Sequence, residues 1–251
     1  MAEPLPAGEP LLEAKGLGKR FGGYIALDGI DLAIAKGERL GLIGPNGSGK
    51  STLVNCLCGT LHNEMGSVVF AGRDLGGLSA HERTRLGLAR SFQLPKPFHS
   101  MSLVDNLRVP LLYTVNARPH RQLDDEAVAA RCAELLRDVG LAAKAQRRPR
   151  DLTQVEMRKL ELARAVATEP TLLFADEAMA GLSHSEIEEI LGVLLRLNEQ
   201  GITIVLIEHI MSAVMSFSTR LAVLVAGRKI ADGPPQEAIR NPEVERAYLG
   251  E

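Results

Sequence analysis

A nine-residue segment, GPNGSGKST, constrains the fold of this 251-residue chain more than any other feature of its sequence. It matches the pattern G-x-x-x-x-G-K-[ST], and it lies between an apolar run, RLGLI, and a helical stretch, TLVNCLC. Glycines there let backbone amides approach phosphate oxygens, and the positive end of the following helix faces the same charge. The sequence therefore predicts a strand–loop–helix unit that binds a nucleoside triphosphate.

Two side chains of this loop have chemical roles of their own. Lys50 is expected to reach the β- and γ-phosphates, and the Ser51 hydroxyl is expected to coordinate magnesium. A glycine-rich turn without a ligand is the alternative interpretation, and the strand and helix on either side argue against it. The other loop residues expected to bind ATP are Gly44, Pro45, Asn46, Gly47, Ser48, Gly49 and Thr52.

Short β-rich runs alternate with helical stretches, which predicts a layered α/β fold. Three of these runs are almost continuously apolar, as expected of central strands covered on both faces. LAVLVAGRKIADG predicts a hairpin with a tight turn at Gly227-Arg228, and ALDGIDLAIAKGE suggests another antiparallel pair near the N-terminus. The strands predicted from the runs are residues 39–44, 66–72, 171–176 and 202–208.

Residues from about 95 to 150 have a different pattern. The two prolines of LPKPF interrupt the alternation, and the helical stretches SLVDNLRVPLL and DEAVAARCAELLRDVGL follow. We interpret them as a helical insert that ends in a solvated basic connection, RRPRD. The single predicted domain, 1–251, then has a core at about 10–93 and 160–233, a helical subdomain at about 94–159 and a helical tail at 234–251.

Bulk composition excludes several classes of protein. Lys plus Arg number 29 against 31 Asp plus Glu, which gives a net charge of -2 and argues against a nucleic-acid-coating protein. Three cysteines form no metal or disulfide framework, which fits a reduced, cytosolic setting. The segment MAEPLPAGEP lacks the features of a signal peptide, and no apolar run reaches the roughly 18 residues that span a bilayer. Any membrane role is expected to be peripheral.

Hydrolysis requires a carboxylate for the metal and a group that orients water. Asp176 ends the apolar run LLFAD and is expected to bind magnesium, while Glu177 is expected to polarise the attacking water. His209 follows another apolar run, and in this order along the chain it joins the catalytic set. Gln93, at the entrance of the helical insert, is expected to contact magnesium or water.

In order along the chain, these segments resemble the ATPase subunit of ATP-binding-cassette transporters. GPNGSGKST resembles the Walker A motif, SFQ the Q-loop, LLFADE Walker B with its catalytic glutamate, and IEH the H-switch. Phe21 occupies the place of an adenine-stacking aromatic. The resemblance implies a P-loop NTPase (RecA-like) core, an antiparallel β-subdomain and a helical subdomain. It also implies a D-loop formed by Ala180, Gly181, Leu182 and Ser183.

The resemblance also implies partners and a location. Two such subunits, identical or different, are expected to face each other head to tail at the cytoplasmic face of the inner membrane, bound to permease subunits. DEAMAGL, SFQ with MSLVDNL, and NPEVERAYLG resemble the subunits of branched-chain amino acid importers. That subgroup also serves urea and short amides, works with an extracytoplasmic substrate-binding protein, and is similar to the lipopolysaccharide-export ATPase.

The segment LTQVE occupies the place of the family signature LSGGQ, which caps the ATP bound by the opposite subunit. Thr153 and Glu156 have the spacing of a capping box at a helix start. Gln154 and Val155 replace the two glycines, so Val155 adds a branched side chain and Glu156 adds negative charge near a phosphate. Either this site caps ATP with altered geometry, or the subunit contributes a weakly hydrolytic half to an asymmetric pair.

Two interpretations that assign the chain to other classes of protein remain. A soluble ABC-type ATPase acting on DNA or ribosomes generally has two cassettes or a long coiled-coil insert, and this chain has neither, so no nucleic-acid partner is expected. A non-hydrolytic scaffold is suggested by the altered signature. The presence of Lys50, Asp176, Glu177 and His209 argues against it.

Overall fold

The structure is a computed structural model that describes residues 10–92, 94–119 and 121–249. Its contacts divide it into two compact units. We call residues 10–83 and 203–249 the P-loop unit, and the described residues of 84–202 the inserted unit. In the part of the chain that the structure describes, no helix is both long and apolar enough to cross a membrane.

Strands and helices alternate along most of the chain, as predicted. The strands are β1 (Leu12–Phe21), β2 (Tyr24–Ile34), β3 (Arg39–Ile43), β4 (Met65–Phe70), β5 (Arg73–Asp74), β6 (Leu88–Ser91), β7 (Leu172–Asp176), β8 (Thr203–Ile207), β9 (Arg220–Val225) and β10 (Arg228–Gly233). The helices are α1 (Lys50–Cys58), α2 (Ala80–Arg85), α3 (Leu103–Pro110), α4 (Asp125–Asp138), α5 (Gln154–Val166), α6 (His184–Glu199), α7 (Met211–Phe217), α8 (Pro235–Ala238) and α9 (Pro242–Leu249).

The P-loop unit contains an antiparallel sheet in the order β2-β1-β4-β5. The antiparallel pair predicted near the N-terminus exists, but its assignment to ALDGIDLAIAKGE was wrong. That stretch lies largely in one strand, β2, whose partner is β1, upstream. Asp28-Gly29 has the composition of a hairpin turn. Instead, Gly29 has a φ of 68° at a register shift, so the two residues form a bulge within β2.

The P-loop unit also contains a parallel arrangement in which β3 lies between β8 and β9. All five residues of β8 are buried, as are the last four of β3, which explains their almost unbroken apolar sequences. β10 then pairs antiparallel with β9, which confirms the predicted hairpin.

The predicted position of that hairpin's turn was wrong by one residue. Arg228 pairs with Val225 inside the ladder, so the two-residue turn is Ala226-Gly227. Their φ angles are 46° and 77°. A two-residue turn with both angles positive matches the right-handed twist of the strands, and Arg228 is left free to extend β10.

The inserted unit combines the parallel pair β6–β7 with helices. SLVDNLRVPLL forms α3 and the first part of a π-helical turn, Leu111–Val115, and the second predicted helical stretch contains α4. Apolar side chains of α3, α4 and α5 form the buried core, among them Leu107, Leu135 and Leu160. The α/β fold class is confirmed, whereas the subdomain boundaries at 94–159 stay a prediction.

Candidate active site

The loop between β3 and α1 has a backbone that glycine adopts more readily than other residues. The φ angles of Gly44, Gly47 and Gly49 are 154°, 77° and 103°. A Cβ atom on Gly44 would lie 2.1 Å from the Leu224 carbonyl oxygen, and one on Gly49 would lie 2.6 Å from that of Ala26. Conformation therefore favours glycine at all three positions, and the close approach of neighbouring backbone requires it at Gly44 and Gly49.

The loop presents its positive groups at the start of α1. Gly49, the N-cap, contributes no side-chain hydrogen bond at this helix start, which carries the positive end of the helix dipole. Lys50 Nζ donates hydrogen bonds to the carbonyl oxygens of Gly44 at 2.7 Å and Pro45 at 3.0 Å. The ammonium group thus lies over the loop, on the residue expected to reach the phosphates.

Two neighbouring elements of the P-loop unit hold the loop in place. The backbone N–H of Gly227, in the β9–β10 turn, donates to the Ser48 carbonyl oxygen at 3.0 Å. The Tyr24 hydroxyl donates to the Gly47 carbonyl oxygen at 3.2 Å. Sequence analysis missed Tyr24, although it and Phe21 frame the GG turn between β1 and β2.

Phe21, the expected adenine-stacking residue, lies at the end of β1 and is 48% exposed. It pairs across the strands with Tyr24, itself 56% exposed, and Lys19 Nζ lies 5.5 Å from the centroid of its ring. An aromatic surface of this size at a strand end is open to a planar base.

The C-terminal tail also reaches this loop. Tyr248, in α9, lies near the backbone of Gly44. Burial raises the pKa of the Tyr248 phenol, and the neighbouring Gly44 backbone partly offsets that effect. The sequence predicted a helical tail but no contact between the tail and this loop.

In the inserted unit, the two predicted acids end and follow β7. Asp176 is buried at the carboxyl end of the strand, whereas Glu177, directly after it, is partly exposed. Glu177 has a φ of 47°, a left-handed conformation that is uncommon for a residue with a side chain. Such backbone costs on the order of 1–3 kcal/mol and is often kept at functional sites.

Arg90, which sequence analysis missed, binds the Asp176 carboxylate. Nη2 donates to Oδ2 at 2.5 Å and Nε donates to the same oxygen at 3.2 Å. The side chains are only 14% and 9% exposed. The signal that could have identified it in the sequence is a charged residue within the short strand LARS, directly before SFQ.

The remaining catalytic candidates are His209 and Gln93. His209 follows β8 in the P-loop unit, with 63% of its side chain exposed, and its Nδ1 lies 3.9 Å from Oε2 of buried Glu208. Gln93, expected to contact magnesium or water, lies outside the described residues.

The predicted capping box at the signature segment is confirmed. The Glu156 backbone N–H donates to Thr153 Oγ1 at 3.3 Å, and the Thr153 N–H donates to Glu156 Oε2 at 3.0 Å. Within the described chain, the N–H groups of Gln154 and Val155 have no acceptor. The helix therefore caps one of its first amides itself and leaves these two unpaired.

Both expected obstacles at this segment are relieved by the fold. Val155 is 8% exposed, so its branched side chain packs inside the inserted unit. Lys144 Nζ lies 2.6 Å from Oε1 of Glu156, so the added negative charge is paired. Burial acts to raise the pKa of Glu156, but hydrogen bonds from Lys144 and Thr153 outweigh it, and the pKa lies below its ordinary value.

The structure also brings the signature segment to the predicted D-loop. Arg158 Nη2 donates to the Ala180 carbonyl oxygen at 3.4 Å, and Gln154 Nε2 approaches the same oxygen at 3.5 Å. Gly181 has a φ of 78°, Leu182 is partly buried, and Ser183 forms a capping box with Glu186 at the start of α6. Two segments 26 residues apart therefore form one surface.

The donor atoms fit a magnesium ion. The buried Asp176 carboxylate supplies hard oxygen ligands, of the kind that magnesium prefers when it keeps several waters and binds phosphates. Within the described residues, Asp176 Oδ1 accepts no hydrogen bond. That oxygen is therefore available to a hydrated cation.

Comparison with known proteins identifies the family. A family model described as "ABC transporter" matches residues 27–180, more than half of the chain. The chain belongs to the ATP-binding cassette (ABC) transporter family. It is an ABC ATPase, as its motifs predicted. A second family model, "Branched-chain amino acid ATP-binding cassette transporter", matches residues 228–251 of this ABC ATPase.

Curated relatives match the ABC ATPase over almost their whole length. The branched-chain amino acid transport ATP-binding protein LivG of Salmonella typhimurium is 38% identical, with 97% of this chain and 99% of LivG covered. BraF of Pseudomonas aeruginosa, with the same description, is 36% identical, with 96% and 98% covered.

Solved structures confirm the fold of this ABC ATPase. A nucleotide-free ATP-binding cassette superposes with a TM-score of 0.85 at 30% identity, covering 96% of this chain and all of the other. A cassette in an ADP conformation superposes equally well, at 0.85 and 30% identity, covering 97% of this chain and all of the other. This ABC ATPase therefore has a nucleotide-binding fold, and its nucleotide is ATP or ADP.

Proposed function

We propose that this ABC ATPase powers the import of branched-chain amino acids through separate permease subunits. The observation that carries the proposal is the full-length similarity, at 36–38% identity, to ATP-binding proteins of branched-chain amino acid transport. The tail supports the same assignment, because residues 228–251 match a family model for these transporters. The comparisons favour this reading over a lipopolysaccharide-export ATPase.

The proposed residue roles follow from the geometry within each unit. Lys50 and the amides of the P-loop neutralise and orient the phosphates, because they are positive groups on a rigid turn. Phe21 stacks on the adenine. Glu177 orients water toward the γ-phosphate, and His209 stabilises the charge that develops there.

Ser51, Gln93 and Asp176 would hold magnesium. The bound ion would offset the negative charge of the β- and γ-phosphates. Asp176 contributes a carboxylate whose Oδ2 is fixed by Arg90 in this structure.

We further propose that a second cassette, identical or different, completes the site with its signature segment. The unpaired N–H groups of Gln154 and Val155 support this role, because a helix start attracts phosphate. The pairing of Glu156 with Lys144 supports a competent signature over a weakly hydrolytic half. A solved cassette 25% identical to this chain is described as a dimer bound to ADP and phosphate, with a TM-score of 0.78.

Permease subunits are the proposed occupants of an apolar surface on the inserted unit. Six large apolar side chains there are more than a third exposed, and they fall within 22 residues of sequence. Exposed apolar side chains are enriched at protein interaction sites. It supports a peripheral position on the cytoplasmic face of the membrane, with an extracytoplasmic binding protein delivering the substrate. The six are Phe92, Leu94, Phe98, Met101, Leu112 and Tyr113.

Two measurements test the proposal. Phosphate release from MgATP by the purified chain is expected, and Lys50→Met is expected to abolish it. In a strain that lacks the chain, uptake of labelled leucine, isoleucine and valine is expected to fall and to return with the wild-type gene. Unchanged uptake of all three, with lost uptake of urea or acetamide, contradicts the proposed substrate.

A further inference from the structure

We propose that Arg90 is the counter-ion of Asp176 in the nucleotide-free protein, and that magnesium replaces it when MgATP binds. The inference rests on the proposed magnesium role of Asp176. It assigns to Arg90 a positioning function in the inserted unit: it holds the metal-binding carboxylate charged and oriented while no cation is present.

The register of the sheet sets this contact. Arg90 of β6 pairs with Phe174 of β7, and Asp176 lies two residues further along β7. Residues two apart on a strand point to the same face, so the guanidinium extends diagonally to the carboxylate. Because the strands are in parallel register, the contact is fixed by backbone pairing and requires no flexible loop.

The hydrogen bonds engage only half of the carboxylate. Nε and Nη2 of Arg90 both donate to Oδ2. Oδ1 accepts no hydrogen bond within the described chain, so a hydrated cation can approach it before the arginine has left. An incoming dication then repels the guanidinium across a short distance in a site where water screens little, because the two side chains are 14% and 9% exposed.

The Arg90 guanidinium also lies against an aromatic ring. Its guanidinium carbon lies 5.5 Å from the centroid of the Phe92 ring, which is 47% exposed. A guanidinium over an aromatic face is stabilised without a carboxylate. Release from Asp176 therefore leaves the arginine stacked on the residue that precedes Gln93, rather than buried and uncompensated.

The alternative is a purely structural ion pair between neighbouring strands. A buried ion pair by itself contributes little to stability, because desolvation offsets the attraction, but removing one partner is strongly destabilising. A structural ion pair and a counter-ion therefore predict the same loss of stability when Arg90 is replaced in the nucleotide-free protein. They differ once magnesium is bound.

The experiment compares the melting temperatures of wild type and Arg90→Met, both nucleotide-free and with magnesium plus a non-hydrolysable ATP analogue. Arg90→Met is expected to lower the nucleotide-free value by roughly 10 °C. With magnesium and the analogue, the deficit is expected to shrink by at least half, because the cation neutralises Asp176. With the analogue and EDTA it is expected to persist. An equal deficit under all three conditions overturns the proposal.

Arg164→Met is the matched control. Arg164 also pairs with a buried acid, Glu161, at 3.0 Å, and its guanidinium carbon lies 5.2 Å from the centroid of the Phe98 ring. The deficit in melting temperature of Arg164→Met relative to wild type is expected to be the same with and without magnesium. A deficit that shrinks as much as that of Arg90→Met overturns the proposal, because ligand binding would then stabilise any weakened variant.

The double variant Arg90→Met/Asp176→Asn keeps the proposal testable if Arg90→Met does not fold. It removes both charges, so it is expected to fold and to regain most of the lost melting temperature in the nucleotide-free state. Failure of the double variant to fold, or to regain stability, overturns the proposal, since Arg90 would then serve packing alone.

Manganese binding separates this inference from the proposed function. With the analogue present, the free Mn²⁺ signal in electron paramagnetic resonance is expected to show roughly tenfold tighter binding in Arg90→Met. Weaker binding overturns the counter-ion role. If wild type and Asp176→Asn bind Mn²⁺ equally, the magnesium role of Asp176 fails, and this inference is overturned with it.

Discussion

Lys144 Nζ lies 2.6 Å from Oε1 of Glu156, at the start of the helix that carries the signature segment. The contact joins two residues 12 apart in sequence and leaves the capping hydrogen bonds of Glu156 intact. It neutralises a carboxylate that would oppose a phosphate at this helix end. The contact therefore supports the proposal that the altered signature caps ATP.

Lys144→Met is expected to lower kcat/KM for ATP about fivefold or more in the assembled transporter. An unpaired carboxylate about 4 Å from a phosphate costs roughly 1–4 kcal/mol at effective dielectric constants of 80 to 20. Adding Glu156→Gln to this variant is expected to restore the rate, because it removes the charge. Steady-state ATPase assays measure both.

Lys159→Met is the control, since Lys159 is on the same helix and pairs with Glu189 at 2.5 Å. Its rate is expected to match wild type. If Lys144→Met leaves kcat/KM unchanged, the ion pair has no role in ATP binding.

The stability that Glu156 contributes is expected to depend on pH in the acidic range. Its folded-state pKa lies below the ordinary value of 4.5, so the unfolded chain binds more protons and stability falls as the pH falls. The contribution is fully present above pH 4.5 and is lost as the pH drops through the folded-state pKa. Urea unfolding of wild type and Glu156→Gln between pH 3.5 and 6 measures the difference.

The difference between the two unfolding free energies is expected to narrow toward pH 3.5. Glu199→Gln, at an exposed position in α6, is the control for the removal of a carboxylate elsewhere on the surface. A constant difference across the range contradicts the prediction.

Glu177→Gln is expected to lower kcat for ATP hydrolysis by about 10²–10⁴-fold while ATP binding persists, because only water activation is lost. The bound, unhydrolysed ATP is expected to hold two cassettes together, which size-exclusion chromatography detects. Glu188→Gln, exposed in α6, is the control. Normal turnover by Glu177→Gln excludes the assigned role.

Gly44→Ala is expected to lower the free energy of unfolding by about 2 kcal/mol or more. Its added Cβ would lie 2.1 Å from the Leu224 carbonyl oxygen, on a backbone with φ of 154°. Gly23→Ala is the control, since nothing lies within 4 Å of its added Cβ, and its effect is expected within about 0.5 kcal/mol. Denaturant titrations with similar losses for both would show that the loop tolerates a side chain.

Arg83→Met is expected to cost about 3 kcal/mol or more of stability. Arg83 is 2% exposed, and its guanidinium donates to four carbonyl oxygens, including those of Cys56 and Leu57 in the last turn of α1. Burial lowers the pKa of this guanidinium, yet its charge is well placed at the negative end of a helix.

Arg83→Lys is expected to recover only part of that loss, because an ammonium group cannot reach four acceptors in a plane. Arg73→Met, at an exposed position, is expected to change the unfolding free energy by less than about 0.5 kcal/mol. Thermal unfolding with equal effects at positions 83 and 73 contradicts the prediction.

Features with local causes were predicted from sequence. The strand, loop and helix around Lys50 depend on glycine conformations and apolar runs within 20 residues. The capping box at Thr153 and Glu156 is likewise a contact between residues three apart. The turn at Ala226-Gly227 was predicted one residue too late, at Gly227-Arg228. Both pairs contain a glycine, and only the strand register distinguishes the two positions.

Contacts between distant segments were not predicted. Arg90 and Asp176 are 86 residues apart, and sequence alone does not show that β6 and β7 are neighbours. The sequence predicted that the branched side chain of Val155 would lie near a phosphate at the signature segment. Its actual direction depends on what the helix packs against, which the sequence does not show.

The sequence by itself determined the nucleotide-binding loop, the α/β class and the identity of the catalytic candidates, because these follow from short-range backbone preferences and residue chemistry. Only the tertiary structure decided which charges are paired and which side chains are buried. Those properties depend on the register and packing of segments that the chain brings together from far apart.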